Sequence, residues 1–324
     1  MKNVFLFPGQ GSQYVGMGKD FYNNYAEAKK IYDLANKVAE MDVKGLCFEA
    51  SEEELKNTQN AQICIATTSL AILSVLSSKN IHADYASGLS LGEYVALVYG
   101  GFLKIEDCFK LLKMRGYYMQ NLLPKEEFAM CAIIGLDSKK IEEVCTSLRN
   151  EGYFIVPANY NYQAQTVVSG NKKAIEIANS LFKEAGAKRV IELNTSGPFH
   201  TEKLNEASKE YKKDLQKIKF LNGNNVKVIK NIDGTFYTAS DNFVDILSKH
   251  ITSPVRFDKA LKVFSESNID NYIEVGPGKA MTGFVKKEIK ESNCFAVENI
   301  EKFNELVGGM KNEWKQSSSY NRWN

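Results

Sequence analysis

The chain has 324 residues, 44% of them apolar and 25% charged, enough to bury the core of one large or two coupled globular domains. Its 41 basic and 39 acidic residues leave a formal charge of +2. That balance lacks the positive excess of a phosphate-tracking surface and excludes nucleic acid as an expected partner. Six cysteines (Cys47, Cys64, Cys108, Cys131, Cys145 and Cys294) stand singly with no CxxC spacing. They read as small buried hydrophobes of a reducing compartment, and no metal site is expected.

In chain order, residues 4–7 form a wholly apolar run that meets Pro8-Gly9, the pattern of a buried parallel strand emptying into a loop, too short for a signal-peptide core. Apolar residues then recur at helical spacing through Phe21, Tyr25, Ala28, Tyr32, Ala35 and Val38, and Ser51 with Glu54 makes a capping box. A third, mostly apolar helix is predicted over 60–79. The longest apolar stretches, 65–76 and 94–103, are broken by Thr, Ser or Gly and are expected to be too short to span a bilayer. A cytoplasmic protein without a membrane segment is the expectation. A short strand at 85–87 runs into Gly88-Leu89-Ser90-Leu91-Gly92, and helical periodicity resumes over 93–99 and 105–122.

From 128 the rhythm changes: strand 128–134, helix 138–150, strand 153–158, strand 166–169, helix 172–185, strand 188–193. That is βαββαβ, the ferredoxin-like arrangement. Segments 123–125 and 194–198, each holding a proline, bracket it, so a small domain (126–195) is expected inside a discontinuous larger α/β domain (1–125 and 196–315), followed by a polar, frayed tail (316–324). The large domain resumes with a helix over 202–217 and strands over 226–231 and 271–275.

Gly88-Leu89-Ser90-Leu91-Gly92 is GxSxG, whose glycines allow the sharp strand-to-helix bend that presents a nucleophilic serine, with helix N–H groups nearby for an oxyanion. A serine alcohol needs a base, and the chain has 3 histidines. His82 lies in a polar loop, and His250 ends an amphipathic helix, where capping alone explains it. His200, in Ser196-Gly197-Pro198-Phe199-His200, follows a Gly-Pro turn and is the better base.

These motifs, together with Phe7-Pro8-Gly9-Gln10-Gly11-Ser12-Gln13, Glu93-Tyr94, Met114-Arg115-Gly116, Ser253-Pro254-Val255-Arg256-Phe257 and Glu274-Val275-Gly276-Pro277-Gly278, occur in the order and spacing that resemble the bacterial malonyl-CoA:acyl carrier protein transacylase family from Phe5 to about Lys287. The resemblance implies an α/β-hydrolase-like domain with a ferredoxin-like insertion. It implies Ser90 as the malonylated nucleophile, His200 as general base, and the N–H groups of Gln10 and Leu91 as the oxyanion hole. Arg115 is expected to clamp the free malonyl carboxylate, which a guanidinium fork on a helix with apolar neighbours can do bidentately. Phe199 would restrict the space at malonyl C2, and Asn159 would contribute to the pocket. Malonyl-CoA and acyl carrier protein are the implied partners, with no cofactor and a monomeric protein.

The chain departs from the family pattern at three places. Leu89 replaces a frequent His, and Gln163-Ala164 replaces a Pro-Gly pair. His250 stands where the family usually has Gln; if the orienting contact is its backbone carbonyl the exchange is tolerated, and if it is the side chain, His200 is held differently. Lys188 and Arg189 are candidates for meeting the acidic carrier. A polyketide-serving acyltransferase, an acyl-carrier hydrolase and a non-catalytic carrier-binding module are the rival expectations.

Overall fold

The computed structural model describes residues 1–193 and 197–309. Residues 194–196 of the second bracketing segment, and the tail expected over 316–324, lie outside the described residues. Ten strands, β1 (Asn3–Phe7), β2 (Tyr85–Gly88), β3 (Phe128–Ile134), β4 (Ile155–Tyr162), β5 (Gln165–Asn171), β6 (Arg189–Leu193), β7 (Lys227–Val228), β8 (Val255–Arg256), β9 (Asn271–Val275) and β10 (Asn293–Val297), form two sheets.

The first sheet runs β10-β9-β1-β2-β7, every pairing parallel. Val4, Phe5, Leu6 and Phe7 are fully buried, because helices cover both faces of a parallel sheet and its strands become continuous apolar runs. Each such side chain contributes about 1.5–3 kcal/mol by leaving water. The helix Thr58–Ser78 packs behind this sheet. Contrary to the expectation from its broken apolar pattern, it is long and apolar enough to cross a membrane, yet 83% of its most apolar window is buried within the fold. Apolar on all sides, it is a core helix covered by protein.

The second sheet runs β6-β3-β5-β4-β8. Its first four strands and the helices Ser138–Asn150 and Lys172–Glu184 realise the βαββαβ order, antiparallel throughout. β8, from the sequence motif after His250, adds a parallel edge to β4; two residues are too few to carry a strand signal. The period of two sorts β3: Ala129, Cys131 and Ile133 pack on the two helices, whereas Met130 and Ala132 join the core shared with the first sheet. Fold class is therefore as expected, an α/β-hydrolase-like parallel unit with a ferredoxin-like βαββαβ unit.

Three elements differ from expectation. The helical run starting near Phe21 is two helices, Lys19–Asn24 and Ala26–Ala39, because Tyr25 is extended (φ −131°, ψ 119°) and stacks its ring edge on Phe303 at 5.9 Å. The helix expected over 202–217 opens as a 3-10 turn, Glu202–Leu204, before Asn205–Leu215. β7 is only two residues long because at Ile229 the chain bridges to Phe236 instead, which frees Asn231 for the site.

Candidate active site

The elbow forms because a side chain fits neither end of it. A Cβ on Gly88 would strike the Gly92 backbone, and one on Gly92 would strike the Phe7 carbonyl. Ser90 between them takes φ 56°, an αL value that is unusual for a non-glycine residue and marks strain held by surrounding contacts. Its N–H donates to Asn231 Oδ1 at 2.8 Å, while Asn231 Nδ2 donates to the Gly88 carbonyl at 2.7 Å. One asparagine thus pins the start of the turn and its nucleophile.

Ser90 Oγ lies 2.8 Å from His200 Nε2. His200 is itself at φ 59° and 4% exposed. Its Nδ1 faces two backbone carbonyls, His250 O at 3.0 Å and Ser253 O at 3.1 Å. Carbonyls only accept, so Nδ1 carries the proton and Nε2 is left to accept from the serine hydroxyl. Burial, reinforced by His250 and Arg115, pushes His200 well below the ordinary histidine range and keeps the ring a neutral base. The contact His250 makes to His200 Nδ1 is through its carbonyl; its ring lies 5.0 Å from the His200 ring and brings Nδ1 to within 2.9 Å of Glu93 Oε2. His82 is exposed in its loop.

Arg115, on the helix Ile105–Asn121, is fully buried. One terminal nitrogen donates to Gln62 Oε1 at 2.7 Å and the other to Ser90 Oγ at 3.1 Å; the guanidinium lies 5.6 Å from the centre of the Tyr94 ring. Among the described residues no carboxylate pairs with it. Its guanidinium is thus a buried cation held by neutral groups alone.

Beside Ser90 and His200 opens a cavity of about 740 Å³. The first loop, from Pro8 to Val15, forms one side, and Met130, Ala132, Asn159, Asn161, Val167 and Leu193 of the second sheet form the other, with Phe199 and Met119 between. Gln10 lines it, and Leu91 begins the helix Gly92–Tyr99. Among the described residues neither their N–H groups donate to another protein atom, as oxyanion donors require. Leu89 also lines the cavity. The Gln163-Ala164 turn joins β4 to β5, and Gln163 N donates to Glu288. Lys188 and Arg189 are exposed at the start of β6, an edge strand; Leu193 at its other end is the residue that reaches the cavity. A smaller cavity of about 300 Å³, beside Phe128, Lys172 and Glu192, holds none of the predicted chemistry.

Sequence reasoning missed Asn231 and Gln62, and it quoted Tyr94 and Glu93 only as part of a motif, without a role. The last carried a readable signal: one carboxylate in the otherwise apolar helix segment GEYVALVY, where an unpaired charge would not be buried.

A serine on a strand-to-helix elbow, facing a buried neutral histidine in an α/β-hydrolase-like fold, defines an enzyme that moves acyl groups. The family model described as acyl transferase domain matches residues 4–322, and the chain belongs to that family and, within it, to the malonyl CoA-acyl carrier protein transacylases. It is 38% identical over 312 residues to the Bacillus subtilis malonyl CoA-acyl carrier protein transacylase, covering 96% of this chain and 98% of the relative. The crystal structure of the Clostridium perfringens malonyl CoA-acyl carrier protein transacylase matches with a TM-score of 0.93 at 34% identity, over 98% of this chain and 100% of that one. A malonyl-transacylase in complex with its type II PKS acyl-carrier protein matches with a TM-score of 0.90 at 30% identity, over 96% of this chain and 100% of that one.

Proposed function

We propose that this protein transfers malonyl from malonyl-CoA to the phosphopantetheine thiol of an acyl carrier protein, by a ping-pong route through malonyl-Ser90. The observation that carries the reading is the buried, anion-less Arg115 within 3.1 Å of the nucleophile. A hydrolase of general acyl groups gains nothing from such a cation, whereas malonyl brings the missing carboxylate.

The malonyl carboxylate binds Arg115. Ser90 Oγ attacks the thioester carbonyl as its proton passes to His200 Nε2, and the amides of Gln10 and Leu91 hold the oxyanion. Collapse expels CoA sulfur, which takes the proton from His200. The carrier's thiol then gives its proton to His200, attacks malonyl-Ser90 and leaves with the malonyl group, returning the serine hydroxyl. No electrons are exchanged, so the scheme calls for no redox cofactor, and it assigns the oxyanion to backbone amides and not to a metal. Phe199 and Asn159 shape the pocket around the malonyl chain.

Lys188 and Arg189, exposed at the head of a strand whose other end reaches the cavity, are the proposed carrier contact. Domain limits at 1–125 with 196–315, and 126–195, are proposed with β8 crossing to the smaller sheet; the protein is taken as cytoplasmic and monomeric. Fatty acid synthesis is the preferred setting. The likeness to a relative in complex with a polyketide carrier supports polyketide service as the second reading.

Intact mass after mixing with malonyl-CoA tests the proposal, with Ser90→Ala as control. A malonyl adduct that needs Ser90 and moves onto an acyl carrier protein supports transfer; an adduct lost only to water means hydrolysis, and no adduct means a binding module. Parallel assays with fatty-acid and polyketide carriers separate the two settings.

A further inference from the structure

We propose that Glu93 is a positioning residue for acyl transfer: a single buried carboxylate ties the turn carrying Ser90 to the helix end that orients His200. The proposal rests on the reading above for the chemistry, and on geometry of its own. Glu93 is fully buried at the second position of the helix that follows the nucleophile. Its Oε1 accepts from the Asn231 N–H at 2.8 Å and the Tyr237 hydroxyl at 2.9 Å. Asn231 is the residue whose side chain bonds the Gly88 carbonyl and the Ser90 N–H of the turn. On the opposite side, Glu93 Oε2 lies 2.9 Å from His250 Nδ1, a close contact without hydrogen-bond geometry. His250, also fully buried, terminates the helix Phe243–His250 and supplies one of the two carbonyls that accept from His200 Nδ1.

The consequence is mechanical. Ser90 and His200 both sit at positive φ, a conformation that persists only when neighbours over-determine it, and they come from segments 110 residues apart. Glu93 is the group that touches the supports of both. Among the described residues its carboxylate makes no hydrogen bond to Arg115 or to a side chain lining the cavity, so loosening this link should disturb the attack geometry and leave malonyl-CoA binding alone. Tyr237 reports the carboxylate from outside the site: burial first, and then Glu93, raises its phenol well above the usual range.

The test measures single-turnover malonylation of Ser90 and the KM for malonyl-CoA, with thermal melting as the check on folding. Glu93→Gln is expected to slow malonylation by roughly 10- to 100-fold with KM within about twofold, the loss that a misplacement approaching 1 Å produces. At His250 the pattern matters more than the size. His250→Leu leaves the carboxylate facing an apolar group and should lose roughly 30-fold, whereas His250→Gln offers it a side-chain amide N–H and should lose only about threefold. Tyr237→Phe removes one donor with little change in shape, and is expected to cost a few-fold in the same step; with the His250 pair it decides the matter if Glu93→Gln melts early. Wild-type rate in Glu93→Gln, equal losses in the two His250 variants, or a loss confined to KM would overturn the proposal. Absence of a malonyl adduct in the wild type would instead overturn the reading it rests on.

Discussion

The two sheets divide the labour unequally. The nucleophile, its elbow and the first loop hang from the parallel sheet, and the base and Arg115 come from segments packed on that half. The antiparallel sheet contributes wall: Met130 and Ala132 on β3, Asn159 and Asn161 on β4, Val167 on β5 and Leu193 on β6. Parallel strands all end at the same edge, so loops from several of them converge on one point, which suits chemistry. An antiparallel sheet presents a broad face of alternating side chains, which suits a boundary. The expectation is that changes to the first half alter the rate of acyl transfer, and that changes to the second alter which acyl group is accepted.

The largest expected effect is Ser90→Ala. Malonyl adduct should vanish from the intact mass spectrum and turnover should fall by up to about 10⁶-fold, since members of such a unit do not contribute additively. His200→Ala removes the base and should lose roughly 10³- to 10⁴-fold in malonylation rate, with malonyl-CoA affinity by calorimetry little changed. Arg115→Ala should lower kcat/KM for malonyl-CoA by about 10²- to 10³-fold without a matching loss for acetyl-CoA, as removal of a charged partner predicts; unchanged malonyl preference would remove the clamp from the scheme.

On the wall, Met130→Ala enlarges the pocket. Selectivity between malonyl- and methylmalonyl-CoA should shift by about tenfold, the scale set by a methylene or two, while malonylation itself keeps its rate within a few-fold. If instead Met130→Ala abolished malonylation as completely as a change at His200, the division between the sheets would fail.

The smallest effect is the pH dependence of His200. Its ordinary value is 6.5 and the fold lowers it, so just below 6.5 the unfolded chain binds a proton that the folded chain refuses. Stability from this group is therefore complete above 6.5 and is lost as pH falls toward the folded value, with a slope of at most about 1.4 kcal/mol per pH unit. Melting curves at pH 5.5 and 7.5 should differ less for His200→Gln than for the wild type. Malonylation should stay flat from pH 7.5 down through 6.5; a midpoint at 6.5 would mean that the ring titrates as if exposed.

Ser90 and His200 were legible because each is announced locally, by a glycine-bounded serine and a histidine after Gly-Pro; Arg115 was singled out by the family resemblance, since a lone arginine on a helix reads by default as a salt-bridged surface residue. The same locality made strands 3–7 and 128–134 readable, where burial pattern alone specifies the element. β8, β10 and the shortening of β7 were not readable, because each depends on a partner strand distant in sequence. Tyr25 shows the limit within one segment, since its periodicity was helical and its packing against Phe303 imposed an extended residue.

By itself, then, the sequence determined the kind of elements, their βαββαβ interlude, and the residues able to attack and to accept a proton, all properties of short windows of chain, while the arginine expected to hold an anion came from the order of motifs along the whole chain. Only the tertiary structure decided that His250 orients His200 through its carbonyl and turns its imidazole to Glu93, and that Asn231 binds the elbow. Those are contacts between segments more than forty residues apart, and no local propensity encodes which buried polar group will satisfy another. Burial without water forces such groups to find partners, and the packed fold alone fixes which partners are in reach.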